Sequence, residues 1–390
     1  MRRIFNASFG FALALALGAL ISSCTGPAGP MGLAGTNGKD GANGINGKDA
    51  NATCTQCHNS SNIIETKSLE MEQSKHFTGN TVEEATRTSC APCHSSQGYL
   101  DVIAHNPRVG AYATSVAITD PSPVGSCYTC HKIHQNYDST DLAFTGGASF
   151  YTLFDSTLYD VNEKTNLCAK CHQARPVSPK PNITVPTGTM TIGSYRYGPH
   201  HGPQGAIYEG TSGFMMSGSV TYTQSTHAFA GVSCADCHMG TPLGIYAGGH
   251  SLNMVDVSTG AENYGVCTTC HAGATSFDVD GKQTEIAGLF AQLETALDTL
   301  LEKDASNNYT GNLDIYDPTS NPDGRYKSSS TSGWTTGQKA INTALPSLTV
   351  TNTVGAALVN YQLIYADKSL GVHNYPYVKA LIQNSLDNLP

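Results

Sequence analysis

Six copies of Cys-x-x-Cys-His run along this 390-residue chain: Cys54, Cys57 and His58; Cys90, Cys93 and His94; Cys127, Cys130 and His131; Cys168, Cys171 and His172; Cys234, Cys237 and His238; Cys267, Cys270 and His271. This is the attachment motif for c-type haem. The two thiols form thioethers to the porphyrin vinyl groups. The His that follows sits on a short helical turn beneath the ring, where its imidazole can bind the iron. A zinc knuckle or a thioredoxin-like redox pair also uses Cys-x-x-Cys, but neither demands a His directly after each second Cys. Disulfides, favoured in an oxidising compartment, would not explain the adjacent His either. Twelve of the thirteen cysteines are used in this way, so the expected cofactor is haem c, six copies, covalently bound.

The thirteenth cysteine, Cys24, closes an N-terminal secretion signal. Arg2 and Arg3 form its charged start, and Phe9 to Ile21 is an apolar run too short to span a bilayer. A twin-arginine signal is rejected, because that route exports folded cargo whereas c-type haem is attached after export. Ile21-Ser22-Ser23-Cys24 resembles the lipobox of bacterial lipoproteins, which implies a signal peptide over 1–23 and lipidation of Cys24. Thr25 is not the Asp that favours inner-membrane retention in such lipoproteins, which implies an outer-membrane lipoprotein facing the periplasm or the cell surface. Glycine then recurs at every third position from Gly26 to Gly47. Collagen needs that spacing because only Gly fits at the triple-helix axis. A trimeric stalk is one reading, and an extended Gly-rich tether is favoured, since both prolines lie early in a short repeat. Either form of this lipid-anchored, collagen-like segment (24–49) could reach roughly 70 Å, at about 3 Å per residue.

The formal charge is −9 before any haem propionates are counted, and no basic stripe is present. Nucleic acid is therefore not an expected partner. Residues 50–275 hold all six motifs, with successive first cysteines 36, 37, 41, 66 and 33 residues apart. Units that short hardly bury a core of their own, so haem is expected to supply it, wrapped by short helices and loops. Thr81-Val82-Glu83-Glu84 reads as a capping box, and a small hairpin could form around Gly218 to Tyr222. After His271 the texture changes. An amphipathic helix is predicted over Gly281 to Lys303, a polar loop over 305–336, and two further helices over Asn352 to Ser369 and Pro376 to Leu386. The fold class is mostly α and irregular, a haem-organised cytochrome domain followed by a helical C-terminal region, 276–390. That region, or the stalk, could make a homo-oligomer.

Six irons need a second axial ligand, and eight histidines lie outside the motifs. Methionine would raise the potential, but no Met falls in a pattern that ties it to an iron. His134 stands three residues after His131; His227 precedes Cys234 by seven; His250 lies in Gly-Gly-His-Ser; and His373 lies in Gly-Val-His-Asn-Tyr-Pro. Asp278-Val-Asp280-Gly281 with Glu285 is too short for a calcium loop and reads as a helix start.

Over about 227–271 and 356–389 the chain resembles the multihaem c-type cytochromes related to ammonia-forming cytochrome c nitrite reductase and the octahaem reductases. The resemblance implies that His373, before Asn374 and Tyr377, returns to ligate a haem, and that His76, in Ser-Lys-His-Phe, is a distal ligand. Tyr197-Gly-Pro-His-His-Gly-Pro-Gln204 looks like a ligand segment of multihaem outer-surface cytochromes, with His200 preferred over His201. The axial set is thus His76, His134, His200, His227, His250 and His373, and His105 is left out. The nitrite reductases keep one haem with Lys in place of the motif His and an open iron face. No Cys-x-x-Cys-Lys occurs here. The expected function is electron transfer through bis-His haems to an extracellular acceptor or another cytochrome, and no catalytic residue is assigned. A reductase of a small nitrogen or sulfur oxyanion and a filament-forming subunit are the alternatives.

Overall fold

The structure is a computed structural model that describes residues 63–79, 81–105, 108, 113–133, 142–144 and 149–390. The signal peptide, Cys24, the glycine repeat, Cys54, Cys57, His58 and His134 lie outside the described residues.

The motif region is built from short helices: α1 (Ile63–Glu72), α2 (Lys75–Thr78), α3 (Ala91–His94), α4 (Ser96–His105) and α5 (Cys127–Cys130). After a two-stranded ribbon, β1 (Phe150–Tyr151) with β2 (Leu158–Tyr159), come α6 (Glu163–Ala169), β3 (Thr189–Ile192), α7 (Gln204–Glu209), α8 (Thr226–Phe229) and α9 (Cys234–His238). Local chemistry starts these turns. Asn162 caps α6 by accepting from the Thr165 amide at 2.9 Å. Ser233 and Asp236 form a reciprocal capping box at the head of α9, with bonds of 3.2 and 2.7 Å. The capping box expected at Thr81 is not made. Thr81 precedes a 3₁₀ turn, its side chain makes no cap bond, and the Glu84 carboxylate pairs with Arg87 instead.

The C-terminal region contains α10 (Lys282–Leu297), β4 (Leu301–Lys303), β5 (Tyr309–Leu313), α11 (Thr336–Ala344), β6 (Leu348–Thr351), α12 (Asn352–Asp367) and α13 (Tyr375–Asn388). The helix expected to run to Lys303 stops at Leu297. Asp304 accepts from the Ser306 and Asn308 amides, both at 2.9 Å, and this turn folds Leu301–Lys303 back against β5. The hairpin expected near Gly218 is also absent. Asn384 of α13 takes the role of a partner strand, accepting from Val220 N at 3.0 Å and donating to Val220 O at 2.8 Å. A Cβ on Gly218 would come within 2.4 Å of Asn384 Oδ1, so the close approach requires glycine. β3 instead pairs antiparallel with β6, from Thr189 opposite Thr351 to Ile192 opposite Leu348.

The apolar interior is unevenly shared. Around β1, β2 and α6 only Phe144, Phe150, Tyr159 and Ala169 cluster. A much larger core joins Ile192, Ile207 and Phe214 to Ile286, Leu293 and Leu297 of α10, Leu358 and Leu363 of α12 and Leu381 and Ile382 of α13. The C-terminal helices therefore bury a protein core of their own and draw 190–216 into it. This corrects the expectation that the chain has too little apolar interior without haem. The shortage is confined to the motif segments. Among the described residues no helix is long and apolar enough to cross a membrane.

Candidate haem-binding site

Each of the five described motif histidines faces a second imidazole across a gap. Ring centres are 5.8 Å apart for His172 and His76, 6.2 Å for His94 and His200, 6.3 Å for His131 and His250, 6.2 Å for His238 and His373, and 6.1 Å for His271 and His227. The ring planes are tilted or edge to face, so the rings are not stacked. An imidazole nitrogen sits about 2 Å from a bound first-row metal and the ring centre about 1 Å further back, so rings on opposite sides of one iron stand about 6 Å apart. The five gaps have the width that one iron and two imidazoles need.

Different local devices aim the partners. His76 lies in α2, whose N-cap Ser74 accepts from the Phe77 amide at 3.2 Å. His200 takes a left-handed backbone, φ 72°, which turns its ring toward His94, while the His201 ring lies beside it at 5.4 Å. His227 lies in α8, capped by Ser225. His250 sits on a 3₁₀ turn entered through Gly248 and Gly249, both at positive φ. His373 occupies the turn between α12 and α13. His105 differs: its ring is exposed and its Nδ1 bonds the Asp101 carbonyl of its own helix at 2.7 Å.

Four of the ten Nδ1 atoms are held as well, which leaves Nε2 of those rings available as a ligand. His172 Nδ1 meets Gln204 Oε1 at 2.9 Å, His238 the Leu252 carbonyl at 2.8 Å, His227 the Val372 carbonyl at 3.1 Å and His373 the Asp367 carboxylate at 2.7 Å. Burial lowers the pKa of His76, His200 and His250 to about 4, so each is a neutral imidazole with a free lone pair at neutral pH. At His373 burial also pulls the pKa down, but the charge and hydrogen bond of Asp367 outweigh it and the net shift is upward.

The cysteines show which motifs are neighbours. Cys171 Sγ donates to the carbonyl of Pro92, inside the Cys90 motif, at 3.6 Å. The Cys234 amide donates to the hydroxyl of Thr165, three residues before Cys168, at 3.4 Å. Val266 packs so tightly on Gly240 that a Cβ there would lie 2.2 Å from it, joining the Cys234 and Cys267 motifs. The Cys127 motif attaches through Thr129, whose hydroxyl donates to Ser96 at 2.9 Å, one residue beyond the Cys90 motif's flanking Ser95. Among the described motifs the neighbours thus run Cys90, Cys168, Cys234, Cys267, and Cys127 adjoins Cys90. The ten described motif cysteines form no disulfide. Among the described residues no group of three or more His, Cys, Asp or Glu is arranged to hold a metal ion. At the five described motifs the residues fit haem: a cysteine pair stands beside two facing imidazoles that could hold the iron. Gln204 and Asp367 escape sequence reasoning, because nothing local marks them as partners of a histidine.

Residues 220–285 match the family described as cytochrome c7 and related cytochrome c, and they contain two of the motifs and His227 and His250. Over that segment the chain is thus similar to cytochromes c. The match covers that segment alone, and the other Cys-x-x-Cys-His motifs lie outside it. Two solved structures are similar to the chain. The outer cell wall cytochrome OcwA shares 22% identity over 82% of this chain and 50% of its own, with a TM-score of 0.44. The undecaheme cytochrome from the S-layer of Carboxydothermus ferrireducens shares 14% identity over 82% of this chain and 41% of its own, with a TM-score of 0.39. This chain thus spans half or less of the length of these two proteins. No curated protein matches it.

Proposed function

We propose that the chain is a hexahaem electron relay in which two histidines close every iron. The observation that carries this reading is the set of five facing imidazole pairs, 5.8 to 6.3 Å apart. The Cys54 motif and His134 would complete the set. When bound, the haems supply one-electron iron chemistry. The chain's part is to fix their spacing and order. An iron with an imidazole on each face offers no position to a substrate, which weighs against a reductase of small nitrogen or sulfur oxyanions.

The lipobox at Cys24 supports anchoring at the outer membrane, on the periplasmic or the cell-surface side, and the glycine repeat supports a reach away from it. Partners in that setting are another cytochrome or an extracellular acceptor. A homo-oligomer through the stalk or the C-terminal helices, or a filament, is the alternative assembly.

Electron paramagnetic resonance of the oxidised holoprotein tests the reading. The relay predicts low-spin ferric signals only, unchanged by nitrite. A resting high-spin signal that shifts on adding nitrite would favour the reductase.

A further inference from the structure

Among the described hydrogen bonds to the facing histidines, those of His172, His227 and His238 end on a neutral oxygen, whereas that of His373 ends on a carboxylate, Asp367 Oδ1 at 2.7 Å. Glu70 is the other carboxylate nearby, but it stands 3.7 Å from His250 Nδ1 and spends the same oxygen on the His250 backbone amide at 2.8 Å. Asp367 is fully engaged. Its second oxygen accepts from the hydroxyl and the amide of Ser369, and Ser369 Oγ in turn accepts from the His373 amide at 3.3 Å. The carboxylate is almost wholly buried, with 1% of its side chain exposed. It is also the last residue of α12, the helix end at which a negative charge is least favourable. Helix stability does not account for an acid there, whereas the hold on His373 does.

A carboxylate acceptor draws the Nδ1 proton away from the ring and makes the other nitrogen a stronger donor. A stronger axial donor favours ferric over ferrous iron, and hydrogen bonding behind the ligand is one of the protein's levers on potential. We infer that Asp367 is a positioning residue that lowers the reduction potential of the haem held by Cys234, Cys237, His238 and His373 below those of haems whose histidines bond to neutral groups. This rests on the bis-His reading proposed above. It places the Cys234 site below its neighbours at Cys168 and Cys267 in potential, so it accepts an electron after them. Ser369 works in the opposite direction, because its hydroxyl withdraws charge from Asp367.

The test is a redox titration of the purified holoprotein followed by electron paramagnetic resonance, which separates low-spin haems. Asp367→Asn keeps the shape and a neutral acceptor, and should raise the potential of one haem while leaving the others in place. Ser369→Ala should lower the potential of that same haem, and it supplies the reading if Asp367→Asn does not fold. Unmoved potentials, shifts of the same sign, or an even shift of all haems would overturn the assignment. His373→Ala separates the two layers of the argument. A new high-spin signal keeps the ligation intact as the ground on which Asp367 is judged, while an unchanged low-spin spectrum removes the ligation and the role of Asp367 with it.

Discussion

His76 and His172 stand edge to face with ring centres 5.8 Å apart, although one lies ahead of the Cys90 motif and the other closes the Cys168 motif. A single side chain thus ties two haem-attachment segments together across the intervening Cys127 motif. His76→Ala should leave one iron with a single imidazole, seen as one new high-spin ferric signal and as carbon monoxide binding by the reduced protein. His105→Ala should leave the spectrum unchanged, because that ring is bonded to its own helix. A high-spin signal from His105→Ala would mean that the pairing is wrong.

The C-terminal core should carry most of the stability that does not depend on haem. Leu293 is fully buried between α10 and its neighbours. Leu293→Ala should cost about 2–5 kcal/mol, read in denaturant unfolding of the holoprotein, without changing the haem spectrum. A cost near zero would show that the helices do not pack as described.

Glu285 joins α10 to α13. It accepts from Lys379 Nζ at 2.6 Å and from the Tyr375 hydroxyl at 2.6 Å, and these bonds hold its pKa at about 2. A carboxyl with a depressed folded pKa stabilises above its ordinary pKa and loses that contribution as pH falls toward the folded value. The side chain is 35% exposed and screened, so Glu285→Gln should cost only about 0.5 kcal/mol at pH 7. The difference from the parent should shrink steadily below about pH 4 and should also shrink in high salt. A gap that widens on acidification would contradict this account.

Cys24→Ser should release the protein from membranes if the lipobox reading holds. Fractionation followed by immunoblotting reads it, and continued membrane attachment would remove the lipid anchor.

Helices whose pattern is local can be read from the residues. Apolar spacing marks α10, and Pro376 marks the first turn of α13. Elements completed from afar are not legible in this way. Whether Gly218–Val220 is a strand depends on Asn384, and β3 depends on a partner strand far along the chain. The same division runs through the site. The motif residues and the spare histidines stand out by type and context, but no local signal says that His131 faces His250 or that His373 leans on Asp367. Those relationships arise only in the folded chain, where the 3₁₀ turn of His250 meets the end of α5 and the turn after α12 sets His373 beside Asp367.

Covalent haem at every Cys-x-x-Cys-His is the claim on which the rest stands, and intact-mass spectrometry of the protein purified from a host that matures c-type cytochromes tests it most directly. The account predicts the polypeptide mass plus six haem increments that survive denaturation. The bare polypeptide mass, or zinc released on denaturation in place of covalent haem, would contradict it.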